Sequence, residues 1–235
     1  MEATKFKSRR EHRKDVHRFN RYIKGETWDT EISSHQNQHQ PQTYHSRAKL
    51  LLILHRPTAK HKQRNEFDLL SSVHAAESST LLSQPDRPPS LLPSHTFDLD
   101  LDTDTITSEK FALYAKYQRL IHHEQKREIT RDSFKRFLCS SPLHPSVVAA
   151  AASTTTRRTG TVHQLYRVDG VLVAFAVLDL LPHTVSSVYF VYDPEVLGKF
   201  GMGKVSACRE VAMCVEGGYK YYGLGMGLRS RGTDS

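Results

Sequence analysis

Ser186-Ser187-Val188-Tyr189-Phe190-Val191-Tyr192-Asp193-Pro194 is a β-branched and aromatic run that carries two serines and ends on an acid held against a proline. Val, Tyr and Phe favour a pleated, half-buried surface and proline cannot continue a ladder, so the run reads as a buried strand with a polar edge. Upstream, residues 163–168 and 171–179 form two more strands. Asp169-Gly170 joins them, a pair that supplies the positive φ angles of a two-residue hairpin turn. Three consecutive strands therefore form an antiparallel meander.

Downstream, glycines 198, 201 and 203 make a turn into a helix over residues 204–215, with Val205, Cys208, Val211, Ala212 and Val215 toward the core. Gly217-Gly218 ends it and Tyr219-Lys220-Tyr221-Tyr222 starts another strand. Before the meander, Thr107 or Ser108 caps a helix that begins at Glu109 and shares Phe111, Tyr114, Gln118 and Ile121 on one face. Asp132 caps a shorter helix that buries Phe134, Phe137 and Leu138, and residues 147–158 read as a surface insertion. The class is α+β, because a hairpin excludes a doubly wound parallel sheet.

The first half is different in kind. Residues 5–24 place Val16, Phe19 and Ile23 at helical spacing among basic residues and end at Gly25, which predicts a basic helical arm over 1–32. Residues 33–105 are rich in Ser, His, Gln and Pro and read as a mostly disordered linker. The ordered domain then runs over 106–223, with a tail over 224–235.

The formal charge is +8, and nine of the 33 Lys and Arg lie in the first 24 positions, so the arm suits an anionic partner such as RNA or serves as a solvated face. Three cysteines with no CxxC pair argue against a disulfide framework and a four-cysteine metal site, and favour a reducing compartment. No apolar stretch is long enough to span a bilayer.

Several near-motifs fail on one position. Gly198-Lys199-Phe200-Gly201-Met202-Gly203-Lys204-Val205 approaches a phosphate-binding loop, but Val205 cannot ligate magnesium; what remains is a helix N-terminus able to hold a phosphate, or a turn chosen for packing. Asp98, Asp100, Asp102 and Glu109 imitate a calcium loop without its glycine, since Thr103 stands there, and read instead as an acidic linker tip. His35 and His39 have metal-ligand spacing without a third ligand. On the first strand of the meander, alternation separates His163, Leu165 and Arg167 from Gln164, Tyr166 and Val168; if only one face is core, one of His163 and Gln164 faces a cleft. Asp179 and Asp193 end their strands, either to receive an amine or to cap loops.

Tyr114-Ala115-Lys116-Tyr117-Gln118, Phe134-Lys135-Arg136-Phe137-Leu138, Ser140-Ser141-Pro142-Leu143 and the Ser186 strand, in that order, resemble the arginyl-tRNA:protein transferase family in its C-terminal domain. The resemblance covers about 106–222, with a weaker echo in 5–25.

It implies a GNAT-like acyltransferase fold and transfer of arginine from arginyl-tRNA to the N-terminal amine of proteins beginning with Asp or Glu, feeding the N-end rule degradation pathway in the cytoplasm and the nucleus. For that task the candidates are His163, Asp179 and Asp193 for handling the amine. Gln164, Tyr166, Ser187, Tyr189 and Tyr192 would position the aminoacyl end or the peptide. Arg9, Arg10, Arg13, Lys14, Arg18 and Arg21 would hold tRNA phosphates. The family's cysteine-rich domain, which binds zinc or an iron–sulfur cluster, has no counterpart here, so no cofactor is expected. Residues 223–231 also depart from the family pattern, which predicts a fold incomplete at its C-terminal edge. Two other readings remain: a catalytically dead RNA- or protein-binding remnant of the same fold, and a coenzyme A dependent acetyltransferase.

Overall fold

Asp169 and Gly170 adopt φ of +52° and +76°, the left-handed turn expected of this pair, and fold β3 (Thr156–Val168) back on β4 (Val171–Leu181). β5 (Thr184–Tyr192) completes the antiparallel meander. The computed structural model describes residues 1–26, 67–83, 93–125, 127–149 and 156–225. In it β1 (Phe97–Thr103) pairs antiparallel with the outer side of β3, and β6 (Tyr221–Leu224) pairs parallel with β5, giving the order β1-β3-β4-β5-β6. β2 (Ser146–Ala149) pairs with the first residues of β3, so the segment expected as an insertion begins and ends in a β-ladder.

Both faces of this sheet are core. On one, Tyr166, Ala174, Ala176, Leu178 and Val185 pack under α1 (Arg10–Lys24) and α7 (Met202–Glu216). On the other, Leu165, Phe175, Val177 and Val191 pack under α4 (Ser108–Ile121) and α5 (Arg131–Phe134), which passes into a π turn over Lys135–Cys139. The expected cleft beside His163 or Gln164 is thus absent: His163 is fully buried and Gln164 nearly so. Helices on both sheet faces leave no room for the one-sided burial that the alternation suggests.

The helices form where their apolar spacing and caps direct. Thr107 accepts from the Lys110 amide, and Thr130, not Asp132, caps α5 by accepting from the Ser133 amide. Phe134 is fully buried with edge contacts to Tyr114 and Phe175, whereas the π turn rotates Phe137 outward to 59% exposure. In α1, Val16, Phe19 and Ile23 are buried, and Gly25 at φ +72° closes the helix. This helix is therefore part of the domain and no separate arm.

The linker reading needs the same correction. Residues 33–66 and 84–92 lie outside the described residues, but α2 (Leu69–His74) and α3 (Ser78–Leu82) bury Val73 and Leu81, and Asn20 of α1 donates to the Ser72 carbonyl at 2.7 Å. The acidic run at 98–102 is strand, not linker tip. Phe97 and Leu99 turn one way and the aspartates alternate with them, as period two requires. At the edge of the sheet formed by the described residues, β1 tolerates charge that a central strand would not, and Asp102 pairs with buried Lys110 at 2.8 Å.

Candidate functional site

The meander carries a β-bulge at Val188, because Val177 pairs with Tyr189 and Leu178 with Ser187. A bulge inserts one residue and reverses the facing of the residues after it. Ser187 therefore looks toward α7, and Tyr189 looks toward α4. Pairing with β6 stops at Ser187, where the Gly225 amide donates to the Ser187 carbonyl at 2.6 Å. Past that point the Asp193 amide bonds back to Val173 on β4, so by alternation the peptide groups of Phe190 and Tyr192 point to the side that the described part of β6 does not cover.

Tyr117 of α4 stands across this edge, with its ring 6.4 Å from Tyr189 and 5.2 Å from Tyr192. Beside it lies a cavity of about 530 Å³ between α4, the π turn and β5. Tyr114, Phe137 and Tyr189 give its aromatic wall, and Gln118, His122, Glu124, Glu128, Ser133 and Arg136 its polar one. The Tyr189 hydroxyl lies 3.2 Å from His122 Nε2, and burial pushes the Tyr189 phenol up to about 12. It stays neutral at physiological pH, a hydrogen-bond partner and not a base.

The expected residues scatter. Tyr189 lines the cavity, Tyr192 does not line it but packs against Tyr117 beside it, and Ser187 is on the opposite face near Tyr222. Gln164 and Tyr166 do meet, though in the core: the Tyr166 hydroxyl donates to Gln164 Oε1 at 3.0 Å and to Ser206 Oγ at 3.3 Å. Ser206 in turn donates to Glu210, which also accepts from the Tyr222 hydroxyl at 2.7 Å. That buried chain fastens α7 to the sheet.

The three residues expected to handle an amine are apart. Asp193 caps α6 (Pro194–Leu197) by accepting from the amides of Glu195 and Val196, and its other oxygen takes Lys116 at 2.7 Å. Burial pulls Lys116 down, but the bonds to Asp193 and Glu195 outweigh it and hold its ammonium above the ordinary value. Asp179 accepts from Thr161 at 2.6 Å at the far end of β4 from the Asp193–Val173 contact, roughly 20 Å along the strand at 3.3 Å per residue.

His163 sits on the α4 face, its Nε2 against the Leu138 carbonyl at 3.0 Å and its Nδ1 without a partner among the described residues. Burial holds its pKa below the ordinary 6.5. The unfolded chain then binds a proton that the folded chain refuses, so stability is full above 6.5 and falls as pH drops toward the lowered value. His74, whose pKa is raised by Glu77 and Glu216 despite desolvation, titrates with the opposite sign. His163→Leu should therefore flatten the acid-side loss of stability between about pH 6.5 and 5 relative to the parent; urea melts at several pH values that run parallel would refute it.

The basic positions lie on α1 and, for Arg9, at its N-cap. Arg9, Arg10, Arg13 and Lys14 are exposed, Arg13 donating to the Ser8 carbonyl. Arg18 is half-buried and reaches the Lys199 carbonyl at 3.2 Å, while Arg21 meets Glu26 at 3.4 Å. Lys199 belongs to the glycine turn, so helix and turn form one surface. The α7 N-terminus itself already faces an anion: a Cβ on Gly201 would collide with the Asp15 carboxylate, and Lys204 holds Asp15 Oδ2 at 3.1 Å. The phosphate expected there meets a carboxylate instead.

Among the described residues no group of three His, Cys, Asp or Glu is arranged for a metal, and no helix is long and apolar enough to cross a membrane. His35 and His39 lie outside the described residues. Sequence reasoning missed His122, Glu124, Glu128 and Arg136 as site residues; only the packing of α4 and the π turn against β5 brings them to Tyr189.

Comparison with known proteins coincides with this geometry. The family model for the C terminus of arginine-tRNA-protein transferase matches residues 109–230, from the first turn of α4 through β6 and on into the stretch expected to diverge. Arginyl-tRNA--protein transferase 1 of Saccharomyces cerevisiae is 34% identical over 146 residues, 56% of this chain and 28% of the relative. Its namesakes in Arabidopsis thaliana and Drosophila melanogaster are 32% and 35% identical over 138 and 127 residues, covering 57% and 52% of this chain. The chain spans about a quarter of the length of these curated relatives, from 22% to 28%. With more than half of its residues matched by the model, and the whole aromatic cavity inside the match, this chain belongs to the arginine-tRNA-protein transferase family through its C-terminal domain.

Proposed function

We propose that this chain carries the acyl-transfer domain of an arginyltransferase, moving arginine from arginyl-tRNA to the N-terminal amine of proteins that begin with Asp or Glu and so feeding the N-end rule, ubiquitin-dependent degradation pathway in the cytoplasm and the nucleus. The observation that carries it is the coincidence of the family match over 109–230 with the half of the fold that holds the cavity and the β5 edge that the described residues leave uncovered. A GNAT-like architecture belongs to the same proposal. An antiparallel meander, a bulge at Val188 and a parallel β5–α7–β6 unit support it.

The chemistry asks little of the protein. The donor is an activated ester, so no nucleotide is consumed. The acceptor ammonium, with an ordinary pKa near 7.7–8.0, loses one proton to become an amine. Its nitrogen lone pair then attacks the ester carbonyl carbon, the carbon–oxygen bond to the ribose breaks, and the second nitrogen proton ends on the departing ribose hydroxyl. His122, which lines the cavity 3.2 Å from the Tyr189 hydroxyl, would take the first proton. Peptide N–H groups on the part of the β5 edge that the described residues leave uncovered would meet the carbonyl oxygen as it gains charge.

The exposed face of α1 would meet the tRNA backbone. Arg13→Gln with Lys14→Gln should lower the slope of log affinity against log salt by about 0.7–0.9 for each phosphate no longer neutralised, with an unchanged melting temperature. An unchanged salt slope for a charged tRNA would remove α1 from the interface.

The deciding test is transfer of radiolabelled arginine from charged tRNA to a peptide with N-terminal Asp. Transfer by this chain establishes the reading. Absence of transfer, when a full-length relative transfers under the same conditions, leaves this chain as a binding remnant of the fold.

A further inference from the structure

The turn between α2 and α3 is fastened to α7 by a row of alternating charges. His74, the last residue of α2, sets Nδ1 2.8 Å from Glu77 Oε2 and Nε2 2.8 Å from Oε1 of Glu216, the last residue of α7. Glu77 uses its other oxygen on Arg209 of α7. A neutral imidazole carries one N–H, so it can donate to only one of two carboxylates and must turn a lone pair toward the other. Two ring nitrogens at bonding distance from two carboxylates are therefore the geometry of the imidazolium. Burial alone would lower the His74 pKa, but the bonds and charges of Glu77 and Glu216 outweigh it and raise it above 6.5.

This row closes a pair of helices that cannot stand alone. α2 and α3 have six and five residues, too few to persist in water without tertiary contacts. α2 lays Val73 on Val16 of α1 and on Cys208 and Ala212 of α7, all buried. Two ties of the pair are uncharged: Asn20 of α1 on the Ser72 carbonyl, and Ser78 Oγ, which donates to the Phe97 carbonyl at 3.1 Å and accepts from the Phe97 amide at 3.0 Å. The charged groups that face His74 are Glu77 from the turn and Glu216 from α7, with Arg209 of α7 behind Glu77; the α1 side chain bonded to α2 is the neutral Asn20. Arginine keeps its proton, so His74 is the member of the row that can change charge near neutral pH.

We infer that His74 is a proton-operated clip: protonated, it holds the α2–α3 pair closed over α1 and α7, and on losing its proton it releases Glu216 and lets the pair lift, baring the apolar patch around Cys208. The closed pair binds the proton more tightly than the open one, so closure is fully supported below pH 6.5 and loses that support as pH rises through the raised value. Because the pair braces the buried side of α1, the seat of the basic helix loosens with it. The clip does not depend on the arginyltransferase reading.

The test is amide hydrogen exchange on the full chain between about pH 6 and 8.5, each rate divided by the intrinsic rate at that pH, with the His74 pKa read from its own ring resonances. Two amides report the pair, Ser72 on the Asp68 carbonyl and Leu81 on the Glu77 carbonyl. Their protection should fall, as pH rises, by ten raised to the difference between the measured His74 pKa and 6.5, while the central amides of β4 stay better protected at every pH. His74→Gln keeps one N–H donor and no titration, so the same two amides should be weakly protected at every pH in this range. Glu216→Gln, a change at an exposed position that leaves folding intact, should lower the His74 pKa and shrink the fall; it decides the matter if His74→Gln does not fold.

Protection of Ser72 and Leu81 that stays constant with pH in the parent overturns the inference. So does exchange of α2, α3 and β4 with one common free energy at each pH, which would mean that the pair opens only with the whole fold. A His74 pKa unmoved by Glu216→Gln takes α7 out of the clip and overturns it as well.

Discussion

Glu77→Gln is expected to lower the unfolding free energy by about 3–5 kcal/mol, the range seen when one partner of a buried ion pair is removed. Arg209 is 4% exposed, and Glu77 Oε1 takes its Nη1 at 2.5 Å while Nε and Nη2 find no acceptor among the described residues. The guanidinium lies 4.6 Å over the Phe97 ring, and burial lowers its pKa, yet arginine does not lose its proton in a protein. Without Glu77 a charge is left inside the core facing aromatic rings and no carboxylate that the described residues supply. Against a usual total of about 5–15 kcal/mol this is a large part of the stability. Arg209→Met added to Glu77→Gln should recover most of the loss, since an apolar side chain there has no charge to desolvate. Urea titrations of the parent and both variants read this directly; a loss under about 1 kcal/mol for the single change would mean that water screens the pair.

Phe19→Ala should cost about 3–5 kcal/mol, the usual range for deleting a fully buried phenylalanine. Its ring meets Phe97 at 5.0 Å and Phe200 at 5.9 Å, both edge-on, so one side chain joins α1 to the first strand and to the glycine turn. The same change should weaken RNA binding although no charge is lost, because the basic residues of α1 would no longer be held in one orientation. The opposite signature belongs to Arg13→Gln with Lys14→Gln, which should weaken RNA binding and leave the melt alone. If Phe19→Ala melts like the parent, α1 is a detachable arm after all.

The readings that held were those decided by a few adjacent residues. Asp169-Gly170 had to be a hairpin because both positions take positive φ, and Thr107 had to cap a helix because its hydroxyl meets the Lys110 amide three residues on. Those that failed depended on distant partners. β1 is edge strand because Val162 to Val168, some 60 residues later, offers it a ladder; nothing in Phe97-Asp98-Leu99-Asp100 announces that partner, although its alternation is the strand period. His163 and Gln164 read as cleft residues only if one face of the sheet is free, and α1, α7, α4 and α5 together cover both. The bulge at Val188 shows the same limit on a smaller scale. Ser187 and Tyr189 stand two apart, as strand neighbours on one face do, yet one extra residue sends them to opposite faces.

The stitch between the earliest and the latest described segments also sets a clock. The Ala3 amide donates to the Lys220 carbonyl and the Tyr222 amide to the Met1 carbonyl, while α1 packs on α7. On a ribosome adding about 5–20 residues per second, the greasy side of α1 is made roughly 10–40 seconds before the surface it must cover. During that interval Val16, Phe19 and Ile23 belong to a nascent chain without a core, and whatever shields them then decides how much of the protein arrives folded.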